Sequence, residues 1–226
     1  MIKALIFDFN GVIVNDEPIH LDMFQRVLRE EGIPLSEREY YRLYLGMNDK
    51  DCFTALLEKQ GIKPTSSKIR GLIQRKARYY RAFISKHLIF FPGARGFVQR
   101  AARKYPLAIA SGALRSEIRY VLGKARMARY FPVIVAAQDV RSGKPHPDGF
   151  LMALRLLNRK LGLRLRAKDC LVIEDSLEGI VAAKRAGMRC LALATSYPLS
   201  KLKGADVVVK NYRQIKLQQL ATLGAQ

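Results

Sequence analysis

The chain has 226 residues, of which 49% are hydrophobic, enough for a sizeable core in one domain or two small ones. It has no run of 18 or more apolar residues, and its apolar N-terminal run is too short for a signal peptide, which argues against a membrane protein. The formal net charge of +21 favours anionic ligands and speeds their arrival.

The first predicted element is a strand at Ala4–Phe7, a continuous apolar run that ends at Asp8 and Gly11. A short apolar run closed by turn residues is typical of a strand buried on both faces, as in a parallel sheet.

A stretch with only helical spacing follows this strand. Gly and Pro residues separate four predicted helices: Glu17–Glu31, Ser36–Leu45, Asp49–Gln60 and Ser66–His87. Ser36 with Glu39 three residues later forms a capping-box pattern. We therefore expect an all-helical cap domain at residues 15–89, inserted into a core domain formed by residues 1–14 and 90–226.

Apolar runs and helical stretches alternate in the rest of the chain. The further predicted strands are Leu107–Ala110, Val133–Ala136, Cys170–Ile173, Cys190–Ala194 and Val207–Val209. The predicted helices between them are Ala94–Lys104, Ser116–Lys124, Asp148–Leu161 and Leu177–Ala186, with a short helix in the tail after Lys210. This alternation predicts an α/β fold, a Rossmann-like parallel sheet with helices on both faces.

The excess positive charge lies mainly in the predicted core. Residues 14–89 contain 14 Lys/Arg and 10 Asp/Glu, whereas the remaining residues contain 26 and 9. The densest basic stretch, residues 155–168, has no interleaved aromatic side chain. We therefore favour a solvated basic surface and expect no nucleic-acid partner. Three distant cysteines without a CxxC or Cys/His pattern predict reduced thiols and a cytoplasmic location.

Polar clusters follow four of the predicted strands, where an open parallel sheet collects its ligands. The clusters are Asp8–Gly11, Ser111–Gly112, Lys144–Pro145 and Glu174–Asp175. Their three carboxylates suit a hard dication such as Mg²⁺, and the lysine and hydroxyl suit phosphate oxygens. A carboxylate beside such cations can attack phosphorus, because they neutralise the charge of the phosphoryl group.

Four segments in order carry a resemblance to a known family: FDFNGVIVNDE, IASGAL, GKPHPDGF and LVIEDSLEGI, between residues 7 and 180. The chain resembles the haloacid dehalogenase superfamily, in particular its β-phosphoglucomutase-like and phosphoglycolate-phosphatase-like group with a helical cap. The resemblance implies a Mg²⁺-dependent phosphatase that acts on a small phosphorylated metabolite, as a monomer or weak dimer.

The resemblance also implies a role for each matching residue. Asp8 is the nucleophile that forms an aspartyl-phosphate, and Lys144 bridges it to the transferring phosphoryl group. Ser111 and the backbone amide of Gly112 hold that group. The implied Mg²⁺ ligands are Asp8, the backbone carbonyl of Asn10, Asp175 and, directly or through water, Glu174.

The sequence departs from the family pattern at Asn10, where the family has an acid/base aspartate. An amide cannot transfer the proton, and loss of general acid–base help costs roughly 10²–10⁴ in rate. Asn10 has three possible explanations. It is an engineered change, or it is natural and the enzyme either uses only good leaving groups or takes the proton from another acid. The third explanation is that the protein binds anions without catalysis. A mutase and a phosphonate-cleaving enzyme remain alternatives.

Substrate contacts are implied in the cap and after the second strand. His20 lies where related mutases carry a histidine near the reacting centre, and Gly46 belongs to the cap loop that selects substrate. In mutases this loop presents a lysine and an arginine where the chain has Leu45 and Asp49, so we favour a monophosphate over a bisphosphate. The remaining candidates are Asn48 and Asp49 for substrate hydroxyls and Arg115 for an anion.

Overall fold

The computed structural model describes residues 1–87, 89–221 and 223, so the parts of the predicted domains at Leu88 and at Thr222, Gly224, Ala225 and Gln226 lie outside the described residues. The chain divides into two compact units. One unit comprises Met1–Asn15 and Phe90–Gln226, and the other comprises Asp16–Ile89. Asn15 thus groups with the first unit, one residue away from the boundary expected from the sequence.

The first unit is built on a six-stranded sheet in which every neighbouring pair of strands is parallel. In chain order the strands are β1 Ala4–Phe7, β2 Leu107–Ala110, β3 Val133–Val135, β4 Cys170–Glu174, β5 Arg189–Leu193 and β6 Val207–Val209. Their order across the sheet is β3-β2-β1-β4-β5-β6. Strand β1 therefore lies centrally, and Phe7 pairs with Ile109 of β2 on one side and with Ile173 of β4 on the other.

Helices cover both faces of this sheet, and β1 is therefore buried on both faces. Its Ile6 packs with Phe150 and other residues of a core cluster under the helices Asp148–Leu161 and Leu177–Arg185. The next residue, Phe7, points to the opposite face, where its ring lies 6.1 Å from that of Phe97. The predicted Rossmann-like α/β fold is confirmed.

The helices are numbered in chain order through both units. The helices α1 Glu17–Glu30, α2 Glu37–Leu43, α3 Asp49–Lys59 and α4 Ser66–Ile84 form the second unit. The first unit contains α5 Ala94–Ala101, α6 Arg115–Lys124, α7 Asp148–Leu161, α8 Leu177–Arg185 and α9 Leu217–Leu220.

Side-chain hydrogen bonds cap the starts of helices in the helical unit. Asn48 and Thr65 accept hydrogen bonds from the backbone at the starts of α3 and α4. Only half of the predicted capping box of α2 forms: the amide of Glu39 donates to Ser36, but the Glu39 carboxylate pairs with Lys59 at 2.6 Å. Helix α4 ends at Ile84, three residues before the predicted end, because residues 85 and 86 form a turn.

The three cysteines are free and buried. Within residues 1–87, 89–221 and 223, no helix combines the length and the apolar character needed to cross a membrane.

Candidate active site

The carboxyl ends of the central strands bring the predicted polar clusters to one edge of the sheet. The amide of Asp8, directly after β1, donates to the carbonyl of Ile173 at 2.9 Å. Ser111 follows β2, and its amide donates to Val135 of β3 at 3.0 Å. The hydroxyl oxygen of Ser111 accepts a hydrogen bond from the amide of Ala113 at 3.2 Å, which fixes the bend that contains Gly112.

Lys144 links the carboxylates that end β1 and β4. Its Nζ lies 2.7 Å from Oδ1 of Asp8 and also contacts Oε1 of Glu174. The Lys144 side chain is 13% exposed and the Glu174 side chain is fully buried. Although burial lowers the pKa of Lys144, the charges of Asp8 and Glu174 raise it above its usual value, so the ammonium stays charged.

Asp8, Glu174 and Asp175 form a buried acidic cluster. Each offers one carboxylate oxygen, and these oxygens all lie within 4.8 Å of one another. Burial raises the pKa of Asp8 to about 6 against the opposing charge of Lys144. Burial, together with the charges of Glu174 and Asp8, raises the pKa of Asp175 well above its usual value.

This donor set fits a hard dication. Three carboxylates face one ammonium, so the cluster keeps an excess of negative charge that a divalent cation would balance. Oxygen ligands are also those that Mg²⁺ prefers.

Glu174 is held from several sides. Its Oε2 accepts hydrogen bonds from the amides of Asp175 and Ser176, both at 2.8 Å, and from the Ser176 hydroxyl at 2.9 Å. Helix α8 packs so closely that a Cβ added at Gly179 would lie 2.0 Å from the Glu174 carboxyl group. Glu174 therefore anchors both Lys144 and the start of α8, and its role as a metal ligand stays a prediction.

The loop after Asp8 packs directly on Asp175. Gly11 has φ +71°, and an added Cβ would lie 1.9 Å from Oδ2 of Asp175, so both the backbone and the available space require glycine. Asn10 is partly buried and forms a bridge with Val14 within this loop. Whether its carbonyl binds a metal stays a prediction.

Three hydroxyl residues that the sequence analysis missed donate hydrogen bonds to residues at this edge of the sheet. Thr195 donates to the carbonyl of Gly11 at 2.6 Å, and Ser196 donates to Oδ2 of Asp175. Tyr212 donates to the carbonyl of Val12 at 2.9 Å. Thr195 and Ser196 follow directly after the apolar run of β5, so their position at a strand end was the available signal.

In the helical unit, His20 belongs to a buried polar cluster that also contains Lys76, Asp16 and Asp49. Lys76 is 1% exposed, lies 2.8 Å from Nδ1 of His20 and contacts Oδ1 of Asp49. Burial and the Lys76 charge lower the pKa of His20, but the nearby carboxylates of Asp16 and Glu17 raise it by more. The pKa of His20 therefore lies above its usual value.

The other substrate-binding candidates have structural contacts of their own. Gly46 has φ +85° in the turn before α3, where Asn48 accepts a hydrogen bond from the amide of Asp51 at 3.0 Å. In the sheet unit, Arg115 contacts Oδ2 of Asp139 and donates to the carbonyl of Ile134 at 2.9 Å. Their contacts with a substrate stay predictions.

The parallel sheet and the acid–lysine cluster at its carboxyl edge define a hydrolase of the Rossmann-like α/β class. The family model for haloacid dehalogenase-like hydrolases matches residues 5–193, and the chain belongs to this family, which confirms the resemblance.

Individual relatives with known names are consistent with this family assignment. The chain is 28% identical to the phosphorylated carbohydrates phosphatase of Thermotoga maritima, with 82% of each chain covered. It is 29% identical to the β-phosphoglucomutase of Bacillus subtilis, with 96% of this chain and 93% of that protein covered. The crystal structure of β-phosphoglucomutase from Clostridium difficile has a TM-score of 0.87 at 24% identity, covers 100% of this chain and 98% of that one, and supports the fold.

Proposed function

We propose that the chain is a Mg²⁺-dependent phosphatase that acts on a small phosphorylated metabolite through an aspartyl-phosphate at Asp8. The observation that carries the proposal is the position of Lys144, which pairs with Asp8 at 2.7 Å beside the buried carboxylates of Glu174 and Asp175. The phosphatase named among its relatives supports the same reaction class.

Asp8 acts as the nucleophile. One of its carboxylate oxygens forms a bond to phosphorus while the bond from phosphorus to the leaving oxygen breaks. Lys144 and the Ser111–Gly112 bend hold the phosphoryl oxygens during this step. Water then attacks the phosphorus of the aspartyl-phosphate, which releases inorganic phosphate and restores the carboxylate.

Asp8 and Asp175 would hold Mg²⁺, together with the carbonyl of Asn10 and with Glu174 directly or through water. The bound ion would neutralise developing charge on the phosphoryl oxygens. Ser196 and Gly11, both in contact with Asp175, keep that carboxylate in place.

Asn10 restricts the reaction, because its amide can neither protonate the leaving oxygen nor later deprotonate the attacking water. The leaving group takes its proton from another acid or from water, or it departs as a stable anion. We therefore expect acyl or aryl phosphates to react faster than alkyl phosphates, whose alkoxides are poor leaving groups.

A monophosphate is the favoured substrate over a bisphosphate. Leu45 supplies no cation, and Asp49 is a carboxylate that pairs with Lys76. The second phosphate of a bisphosphate would therefore find no cationic side chain at either of these two positions. The helical unit is proposed to act as a cap that selects the substrate. Its candidate substrate contacts are His20, Gly46, Asn48 and Asp49. In the sheet unit, the candidate substrate contact is Arg115.

The test uses p-nitrophenyl phosphate and acetyl phosphate with 5 mM Mg²⁺, on the full chain and on the Asp8→Asn variant. The full chain should release phosphate and carry an acid-stable, base-labile phosphoryl group at Asp8, detected by mass spectrometry after acid quenching. The variant should do neither. Mg²⁺-dependent turnover that persists in Asp8→Asn would contradict the proposal.

Two alternatives follow from specific observations. The similarity to the β-phosphoglucomutase of Bacillus subtilis favours a phosphosugar mutase, which would isomerise a sugar phosphate without net release of phosphate. Asn10 favours a catalytically silent anion-binding protein, which would bind phosphate but show no turnover even as Asn10→Asp. The cytoplasmic location and a monomeric or weakly dimeric state stay predictions.

A further inference from the structure

The amino edge of the sheet carries a concentration of positive charge. Because all strands are parallel, every connection that enters a strand ends at this edge. The connections into β1 to β5 are residues 1–3, 102–106, 125–132, 162–169 and 186–188. They contain one acid, Asp169, and eight basic residues: Lys3, Arg103, Lys104, Arg126, Arg129, Arg164, Arg166 and Lys168. We call these eight residues the amino-edge cations.

The opposite edge has a different balance. Within the sheet unit, the connections that leave β1 to β4 are residues 8–15, 111–114, 136–147 and 175–176. They contain two basic residues, Arg141 and Lys144, and three acids, Asp8, Asp139 and Asp175. The fold thus separates the charge of the sheet unit, with the acidic cluster at one edge and the cations at the other.

The amino-edge cations are exposed and mostly uncompensated. All eight are exposed, and Lys3 and Arg166 share Asp169 at 3.6 Å and 3.5 Å. The other six take part in no ion pair within the described part of the chain. The helix dipole favours cations near helix C-termini, which accounts for Arg103, Lys104 and Arg126 after α5 and α6. Arg164 and Lys168 lie beyond the last turn of α7, which ends at Leu161, so the dipole does not account for them, and an external anion could balance their charge.

A hollow in the surface lies at the same edge. It has a volume of about 450 Å³ and is lined by Arg100, Arg103, Lys104, Ile215, Lys216, Leu217 and Gln218. The amide of Ile2 donates to the carbonyl of Ala221 at 3.3 Å, which places the end of the tail beside the start of β1. Four cations and no acid therefore line a recess next to the amino-edge cations.

We propose that the amino edge of the sheet binds the phosphodiester backbone of a nucleic acid, without regard to base sequence. The four strands β3, β2, β1 and β4, whose entering connections carry the cations, spread them over about 14 Å. Along the axis of duplex DNA, the phosphates of one strand follow one another at about 3.4 Å, so about four phosphates of that strand fall within this width. The sequence alone favoured a solvated surface, because only the topology brings these separate cations to one edge.

The surface fits a nucleic acid better than a membrane. Membrane-surface sites combine cations with apolar side chains that insert between lipids. Of the large hydrophobic side chains that are exposed among the described residues, only Met1 and Leu161 lie beside the amino-edge connections. The edge therefore offers charge with little apolar surface to insert.

The test measures binding of the full chain to fluorescein-labelled 20-nucleotide single-stranded RNA, single-stranded DNA and duplex DNA by fluorescence anisotropy, between 25 and 200 mM KCl. About four phosphate contacts predict a slope of log Kobs against log salt near −4 for duplex DNA and near −3 for a single strand with the same number of contacts. The variant R103E/K104E/R164E should lose at least about tenfold in affinity at 50 mM salt, and its slope should fall to about −1.

The matched control is R38E/K63E/R70E, three exposed cations of the helical unit that take part in no ion pair among the described residues. Both triple variants lower the net charge by the same amount, so the control should bind within about twofold of the unchanged chain. Equal losses in the two triple variants would mean that only net charge matters and would overturn the proposal. Absence of salt-sensitive binding to all three nucleic acids, or binding only to phosphatidylserine vesicles, would also overturn it.

Discussion

The hydroxyl of Thr195 donates a hydrogen bond to the carbonyl of Gly11 at 2.6 Å, although the two residues are 184 positions apart in the chain. Its neighbour Ser196 donates to the Asp175 carboxylate in the same edge of the sheet. The end of β5 thus holds both the loop after the proposed nucleophile and a proposed metal ligand.

Ser196→Ala should therefore weaken Mg²⁺ binding about tenfold or more, because groups that orient metal ligands typically contribute 10–100-fold to affinity. Isothermal titration calorimetry of the metal-free protein with Mg²⁺ measures the effect without any turnover. Ser200→Ala, at an exposed position of the same segment, is the control and should leave the affinity unchanged. Equal affinities of all three proteins would show that Ser196 does not position Asp175.

Asn10→Asp should raise the rate at which alkyl phosphates phosphorylate Asp8 by roughly 10²–10⁴, because a carboxyl group at this position can protonate the leaving oxygen and the amide cannot. The gain in this step should be small for p-nitrophenyl phosphate, whose leaving group needs no proton. Single-turnover rates measure this step separately from hydrolysis of the aspartyl-phosphate, which is common to both substrates and in which a carboxylate at residue 10 can deprotonate the attacking water. An equal gain in the phosphorylation rate for both substrate types would mean that residue 10 does not act by protonating the leaving oxygen.

Mg²⁺ affinity should fall as the pH falls through about 6, because burial raises the pKa of Asp8 to about 6. Above this pH the group is a carboxylate that can bind a cation, and below it a proton competes with the metal. The raised pKa of Asp175 acts in the same direction. Calorimetric titrations with Mg²⁺ from pH 7.5 to 5 should show an affinity loss that approaches about tenfold per pH unit, and an affinity independent of pH would contradict the expectation.

Gly179→Ala should destabilise the protein even though alanine favours a helix. The added Cβ would lie 2.0 Å from the Glu174 carboxyl group, which is itself held by Lys144 and by the start of α8. Gly123→Ala in α6 is the matched control, since nothing lies within 4 Å of its added Cβ. It should stabilise the protein by about 0.5–1 kcal/mol. Thermal unfolding of both variants should shift the midpoint in opposite directions, and equal shifts would contradict the packing argument.

Lys76→Met should lower the free energy of unfolding by about 3 kcal/mol or more, whereas Asp49→Asn should cost about 1–3 kcal/mol. The first change removes the ammonium that contacts both Asp49, whose side chain is 16% exposed, and buried His20 at 2.8 Å. The second keeps the contact between Lys76 and His20 and leaves an amide oxygen that can still accept a hydrogen bond from Lys76. Urea unfolding measures both free energies, and a larger cost for Asp49→Asn would contradict the interpretation.

The sequence predicted the framework well where one physical signal dominates. The strands at Ala4–Phe7 and Leu107–Ala110 have the predicted bounds, because an apolar run of this length between turn residues is long enough for a strand and too short for a typical helix. Helix ends were less accurate. Nothing in the helical spacing of Ser66–His87 marks Ile84 as the end of α4, where the chain begins a turn.

From the sequence, only the site residues that lie at strand ends or in family motifs could be predicted. The structure brings Asp8, Lys144 and Asp175 together as the motifs indicated. Tyr212 belongs to no motif, and its partner Val12 lies 200 positions away, so only the fold reveals the contact. The burial of Lys76 was equally hidden, because a lysine on a helix normally faces solvent.

The short bridge between Val14 and Phe90 joins the two points at which the chain leaves and re-enters the sheet unit. The 74-residue helical segment Asp16–Ile89 is therefore attached through adjacent stems, as a loop inserted into a hairpin would be. The two stems lie close enough for a short Gly-Ser linker to join them. This architecture lets mutation lengthen, shorten or exchange the insertion while the hydrolytic framework is inherited unchanged.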